Sequence, residues 1–220
     1  MRKTNFLSVL ILTVVFAFTG CAGLDFSGLY TGSGGSSGSS SGSGNSSGKS
    51  SGSSSSSSGG SSSGETVKNA DVDSEVRACF NLVNEFRTGN EAYYWNKDNR
   101  TKTNLVGKLG TLTLDEGLCR AAQIRADEIS TNFSHTRPNG SSCFTVFEEC
   151  SLRYGTKGEN IAAGCKAGRD TFIQWKEENE MYEGQGHRRN MLGDFTKIGI
   201  AYTYNPSERY KHYWVMVLAK

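Results

Sequence analysis

From Gly32 to Gly64 every residue is glycine or serine except Asn45 and Lys49. Side chains of that kind bury almost nothing, so no core can form in this stretch. The run therefore limits the 220-residue chain to one folded unit, expected over residues 72–220. The ~155 residues after Gly64 are enough to bury a sizeable core. The overall 35% of hydrophobic residues is diluted by the run before them. Residues 32–64 are expected to act as a flexible, disordered linker with a root-mean-square span of ~30 Å. Fully stretched, the linker would reach ~110 Å.

The N-terminus reads as an export signal. Arg2 and Lys3 precede an almost wholly apolar run, Phe6 to Phe18. A membrane span needs ~20 such residues, so the run fits the core of a cleaved secretory signal. The segment Phe18-Thr19-Gly20-Cys21-Ala22 resembles the bacterial lipobox, with Phe18 where that motif usually has leucine. The expectation is a signal peptide over 1–20, a lipidated N-terminal segment over 21–31 and a membrane anchor through Cys21. The domain would then face the periplasm or the cell exterior. An ordinary secretory peptide with Cys21 incidental is the competing expectation.

Removing residues 1–20 takes Arg2 and Lys3 and no acidic residue, leaving 22 basic residues against 22 acidic ones. A neutral chain argues against a nucleic-acid partner, which needs a clustered positive face. It also supplies no polybasic second signal, so acyl chains would have to carry the anchoring.

Beyond Cys21 stand Cys79, Cys119, Cys143, Cys150 and Cys165. Export makes disulfides plausible, but five thiols cannot all pair within one chain. The pairing is not legible. Cys79 lies on the apolar face of an expected helix, where a buried free thiol is the alternative. No Cys-x-x-Cys pair supports a zinc ribbon or a thioredoxin-like motif.

Helical spacing of Val76, Cys79, Phe80 and Val83 predicts a helix over Asp73–Thr88, ended by Gly89. Residues 90–110 are polar with few apolar anchors and read as an irregular insertion. A second helix is expected from Asp115 to Ser130, followed by a long loop, 132–158, with a turn at Pro138-Asn139-Gly140. Glu159–Ala163 reads as a short strand, and Asp170–Glu180 as a helix with Phe172 and Trp175 on one side. A short helix follows His187. Lys197–Tyr204 alternates as a strand, and Tyr213–Leu218 is an apolar run suited to a strand covered on both faces. Helices followed by a C-terminal hairpin predict an α+β domain.

Four segments in order carry a resemblance: Phe133-Ser134-His135-Thr136-Arg137-Pro138, Gly158-Glu159-Asn160-Ile161-Ala162, Gly186-His187-Arg188-Arg189-Asn190-Met191-Leu192 and Phe195-Thr196-Lys197-Ile198-Gly199-Ile200. Together they resemble the CAP superfamily of cysteine-rich secretory, antigen 5 and pathogenesis-related proteins, also called SCP-like domains. The resemblance runs over roughly residues 74–219. It implies a three-layer α-β-α sandwich and a cleft with two histidines and two acidic residues. His135, Glu159 and His187 match by motif. Glu178, three residues after Trp175, is the expected fourth, with Glu177 and Glu183 as competitors because residues 176–186 look like an insertion.

Two neutral imidazoles can bind a divalent ion, zinc by preference, and carboxylates can ligate it or orient the rings. The same four side chains can instead form a hydrogen-bonded network that positions the long loop. Family members are variously associated with peptidase-like activity, lipid or sterol binding and signalling. A binding or interaction module for an extracellular lipid, peptide or cell-envelope component is the first expectation. A metal-dependent hydrolase using Glu159 or Glu178 is the second. No Gly-x-Ser-x-Gly elbow occurs in the folded part, so a serine hydrolase has no support. His212 has no acidic neighbour in sequence and reads as a plain hairpin position. Trp175, Tyr202 and Trp214 read as core.

Overall fold

A computed structural model describes residues 69–220. The expected signal peptide, Cys21 and the Gly/Ser linker lie outside the described residues. The folded part opens with helix α1 (Asn69–Thr88), which begins before Asp73, so that residue lies within the helix. Residues 90–110 are not wholly irregular. Strands β1 (Tyr93–Trp95) and β2 (Lys102–Asn104) pair antiparallel into a two-stranded ribbon. The tight turn between them uses Asp98, which accepts from the backbone N–H groups of Arg100 and Thr101. Those local bonds close a turn that apolar spacing does not reveal.

Strand β3 (Thr113–Leu114) leads into helix α2 (Glu116–Ile129). Asp115 caps α2 by accepting from Leu118 N. The long loop after α2 contains a short helix, α3 (Thr145–Glu149). Strand β4 (Lys157–Ala163) is followed by helix α4 (Gly168–Lys176), which stops short of the expected Glu180. Helix α5 (Gly186–Met191) and the hairpin of β5 (Lys197–Tyr204) and β6 (His212–Ala219) complete the chain.

The main sheet has the order β3-β5-β6-β4, so β4 is an edge strand. Alternation along β6 sends Trp214, Met216 and Leu218 to one face, with Cys79, Val83, Phe172 and Trp175 from α1 and α4. Val215, Val217 and Ala219 go to the other, with Leu118, Ala122 and Ile129 of α2 and Phe147 of α3. Helices thus cover both faces, giving an α-β-α arrangement. This is why β6 reads as an unbroken apolar run; each large side chain so buried contributes ~1.5–3 kcal/mol. The indole N–H groups of Trp175 and Trp214 donate to Ile161 O and Cys165 O, so both are satisfied core residues.

Two glycines mark where layers touch. A Cβ on Gly199 of β5 would lie 2.2 Å from the backbone carbon of Leu118, at the start of α2. One on Gly168 would lie 2.0 Å from Glu75 O, where α4 begins against α1. Only hydrogen at those positions permits the approach.

Candidate functional site

Glu159 and Asn160 sit side by side on β4, opposite Val217 and Met216 of β6. The strand alternation directs Glu159 to the α2 face and Asn160 to the α1/α4 face. On the α2 face, the Glu159 carboxylate accepts from Arg125 Nε at 2.8 Å and from His135 Nδ1 at 2.8 Å. A carboxylate only accepts, so His135 donates from Nδ1, and in the neutral ring Nε2 carries the lone pair.

Arg125 is fully buried. Burial alone would lower its affinity for a proton, but the hydrogen bonds and charges of Glu159 and Glu128 outweigh it and push its pKa up. It also donates to Ser134 O at 2.7 Å, which fixes the backbone next to His135. Glu128 holds Arg125 and accepts from Arg137, whose Nη2 and Nε donate to Oε1 at 2.6 and 2.9 Å. Arg137 extends the network to Glu149 at 2.9 Å and Thr145 Oγ1 at 3.1 Å. The loop carrying His135 is thereby fastened to α2 and α3 by charge-assisted bonds.

On the other face, Asn160 Nδ2 donates to His187 O at 3.1 Å. Asn190 Nδ2 donates to Glu159 O at 3.1 Å and to Asn160 Oδ1 at 2.8 Å. These bonds lock the first turns of α5 onto β4. The His187 ring is held by Glu177, whose Oε1 accepts from Nδ1 at 2.5 Å and whose Oε2 accepts from Arg188 N at 3.1 Å.

The acidic partner of His187 is therefore Glu177, not the expected Glu178. Helix α4 ends at Lys176 and Glu177 adopts the left-handed conformation, φ 47° and ψ 47°. That turns its carboxylate back toward α5. Glu178, no longer on the helical face of Trp175, has a side chain 58% exposed and paired with Lys176 at 3.2 Å. Glu183 is exposed and has no part in the pair. A non-glycine residue in that conformation carries a strain of ~1–2 kcal/mol. Contacts at both ends of the residue hold it there: Gln185 Nε2 donates to Glu177 O at 3.3 Å, and Arg188 Nη1 to Lys176 O at 2.9 Å.

The site thus consists of two imidazole–carboxylate pairs, His135–Glu159 and His187–Glu177, attached to one segment of the edge strand. Both rings are partly exposed, with side-chain accessibilities of 23% and 28%. Among the described residues, no group of three or more His, Cys, Asp or Glu side chains is arranged to hold a metal ion.

Cys79, Cys119, Cys143 and Cys150 are free thiols, so no disulfide forms among those four. Cys143 adjoins the first pair, its N–H donating to His135 O at 3.2 Å. Burial, then the Glu159 charge, push its thiol up to about 12, which suits neither a nucleophile nor a ready metal ligand. Burial does the same to Cys79. His212 sits in the hairpin as expected, opposite Tyr204. Its Nδ1 hydrogen-bonds the Tyr202 hydroxyl at 2.7 Å, and its ring stacks on Tyr202.

Arg125 is the principal site residue that sequence reading passes over. Its signal was present: it occupies the apolar stripe of α2 with Leu118, Ala122 and Ile129, where a charge requires a partner.

A family model described as the cysteine-rich secretory protein family, CAP, matches residues 80–218. The uncharacterized protein YkwD of Bacillus subtilis (strain 168) is 31% identical over 102 residues, which is 45% of this chain and 37% of that protein. The match thus spans little more than a third of that relative. An extracellular protein containing an SCP domain from Bacillus anthracis str. Ames superposes with a TM-score of 0.52 at 21% identity, covering 72% of this chain and 45% of that one. An outer surface protein from Borrelia burgdorferi superposes with a TM-score of 0.50 at 17% identity, covering 67% and 92%. At these identities the two structures bear on the fold alone.

Proposed function

Because this chain belongs to the cysteine-rich secretory protein (CAP) family, we propose that it is an extracytoplasmic binding or interaction module, held at a membrane through lipidated Cys21. The two His–Glu pairs form its polar recognition site. The observation that carries this reading is that both imidazoles have Nδ1 engaged by a carboxylate, so each presents an oriented Nε2. A carboxylate behind an imidazole fixes its tautomer and raises its basicity toward a cation.

A divalent ion, zinc by preference, would be held by the Nε2 atoms of His135 and His187 with solvent completing the coordination. Glu159 and Glu177 would orient the rings. Two neutral nitrogen donors make a weak site. Export is supported by the charged and apolar N-terminal pattern.

A metal-dependent hydrolase using the same pairs is the second reading, favoured by the availability of a carboxylate beside each imidazole. It predicts turnover that depends on those carboxylates. Glu159→Gln would also leave buried Arg125 facing a neutral amide, so Glu177→Gln is the cleaner variant. Peptide and ester substrates incubated with the zinc-supplemented protein decide between the readings. Turnover lost in Glu177→Gln would overturn the binding-module reading, and the absence of turnover accords with it. For the anchor, metabolic fatty-acid labelling should mark the wild type and spare Cys21→Ser; equal label in both would contradict lipidation.

A further inference from the structure

The β1–β2 ribbon stands apart from the main sheet. Alternation separates its three aromatics: Tyr94 packs with Leu105 against the core, whereas Tyr93 and Trp95 share the opposite face. Lys102, the cross-strand partner of Trp95, spans both rings, its Nζ 3.9 Å from the Tyr93 centroid and 4.4 Å from that of Trp95. The ribbon is pinned to the segment before α5. Trp95 N donates to Gln185 Oε1 at 2.8 Å, and Tyr182 N donates to Asn99 Oδ1 at 3.0 Å. Tyr182 lies beside the ribbon's turn, with Arg189 Cζ 4.1 Å and Lys97 Nζ 5.9 Å from its centroid. Three half-buried rings from two segments are thus set among cationic groups, Arg188 Cζ also lying 4.7 Å from the Tyr93 centroid.

The charges of this ribbon face outward. Its two acidic residues are already engaged: Glu91 pairs with Lys176 at 2.7 Å, and Asp98 closes the turn through Arg100 N, Thr101 N and the Thr101 hydroxyl. Lys97, Arg100 and Lys102 are exposed, and no ion pair to a carboxylate is formed by them among the described residues. Rings beside unneutralised cations match a ligand with flat apolar faces and spaced negative charges. Sugar rings carrying carboxylate or phosphate groups have that chemistry. Nucleic acid also offers flat faces and anionic groups, but its flat faces are bases rather than sugar rings, and the comparison with oligo-dT below separates the two.

We propose that the Tyr93–Trp95–Lys102 face of the ribbon, with Tyr182 and Lys97, is a docking surface for an anionic polysaccharide. The sugar rings stack on the aromatic side chains, and the acidic groups meet Lys97 and Lys102. The assignment rests on reading the domain as a binding module and names the ligand class and the surface that module uses.

The test is biolayer interferometry of the full chain on immobilised polygalacturonate, with neutral dextran, polyglutamate and oligo-dT as comparison surfaces. Polygalacturonate should bind saturably and more tightly than the other three. Trp95→Ala, and separately Lys97→Gln with Lys102→Gln, should each weaken it roughly tenfold. The lysine pair removes only exposed ammonium groups, so it serves even if Trp95→Ala disturbs folding, which thermal melting reports. Unchanged binding in the lysine pair, no binding to polygalacturonate, or equal binding to dextran, polyglutamate or oligo-dT would each overturn the proposal. Cleavage of the polymer, seen as release of new reducing ends, would overturn the binding-module reading and leave the docking surface standing.

Discussion

Glu177 Oε1 lies 2.5 Å from His187 Nδ1 although Glu177 is the first residue beyond helix α4. The contact exists because the chain reverses into the left-handed region at that residue, carrying the carboxylate toward α5. Continuing the helix would have placed Glu178 on the face of Trp175 instead. The difference has a direct consequence. Glu177→Gln should change the His187 ring-nitrogen resonances in a heteronuclear NMR spectrum, whereas Glu178→Gln should leave them in place. Equal perturbation by both variants would contradict the assignment.

A second expectation concerns the contact between sheet and helix. Gly199→Ala should destabilise the domain by about 3 kcal/mol, the upper part of the usual overpacking range. The added methyl meets backbone atoms of Leu118 and Cys119, which cannot move aside as a side-chain tip can. Gly186→Ala, where a Cβ meets nothing within 4 Å, is the control and should be near neutral. Urea midpoints of the two variants measure this. Similar midpoints would show that the layers separate more easily than the contact implies.

The general plan was legible because apolar periodicity is a property of the core. Ile198, Ile200 and Tyr202 alternate as a strand must, and Cys79 and Val83 repeat at helical spacing. The unbroken apolar run of β6 reflects its two covered faces. What escaped notice depends on local polar geometry. The β1–β2 ribbon is closed by Asp98 side-chain bonds, and the end of α4 is set by one residue's left-handed backbone. His135 and His187 stood out by motif. The groups behind His135, Arg125 and Glu128 on α2, meet Glu159 and Arg137 only through the fold, although Arg125 already stood out as a charge in an apolar stripe.

The Arg125–Glu128–Arg137 network also sets a pH dependence. Burial would raise the Glu128 carboxyl, but hydrogen bonds and charges from Arg137 and Arg125 prevail and hold it below the usual carboxylate range. A carboxylate lowered in the folded state stabilises fully above its unfolded value, ~4.3, and loses that contribution as pH falls through the folded value. The wild type should therefore exceed Glu128→Gln in urea midpoint at about pH 6, and the gap should shrink at about pH 3. A gap that stayed constant across that range would contradict the role of the Glu128 charge.

Calorimetric titration of zinc into the full chain tests the recognition site most directly. An imidazole must be neutral to ligate, so binding should be weak but measurable at about pH 7.5 and reduced at about pH 5.5. His135→Ala or His187→Ala should each remove most of the affinity. His212→Ala should change it little, because that ring is committed to Tyr202 on a different part of the sheet. Binding that survives loss of both His135 and His187, or a wild type that takes up no zinc, would contradict the metal-binding site.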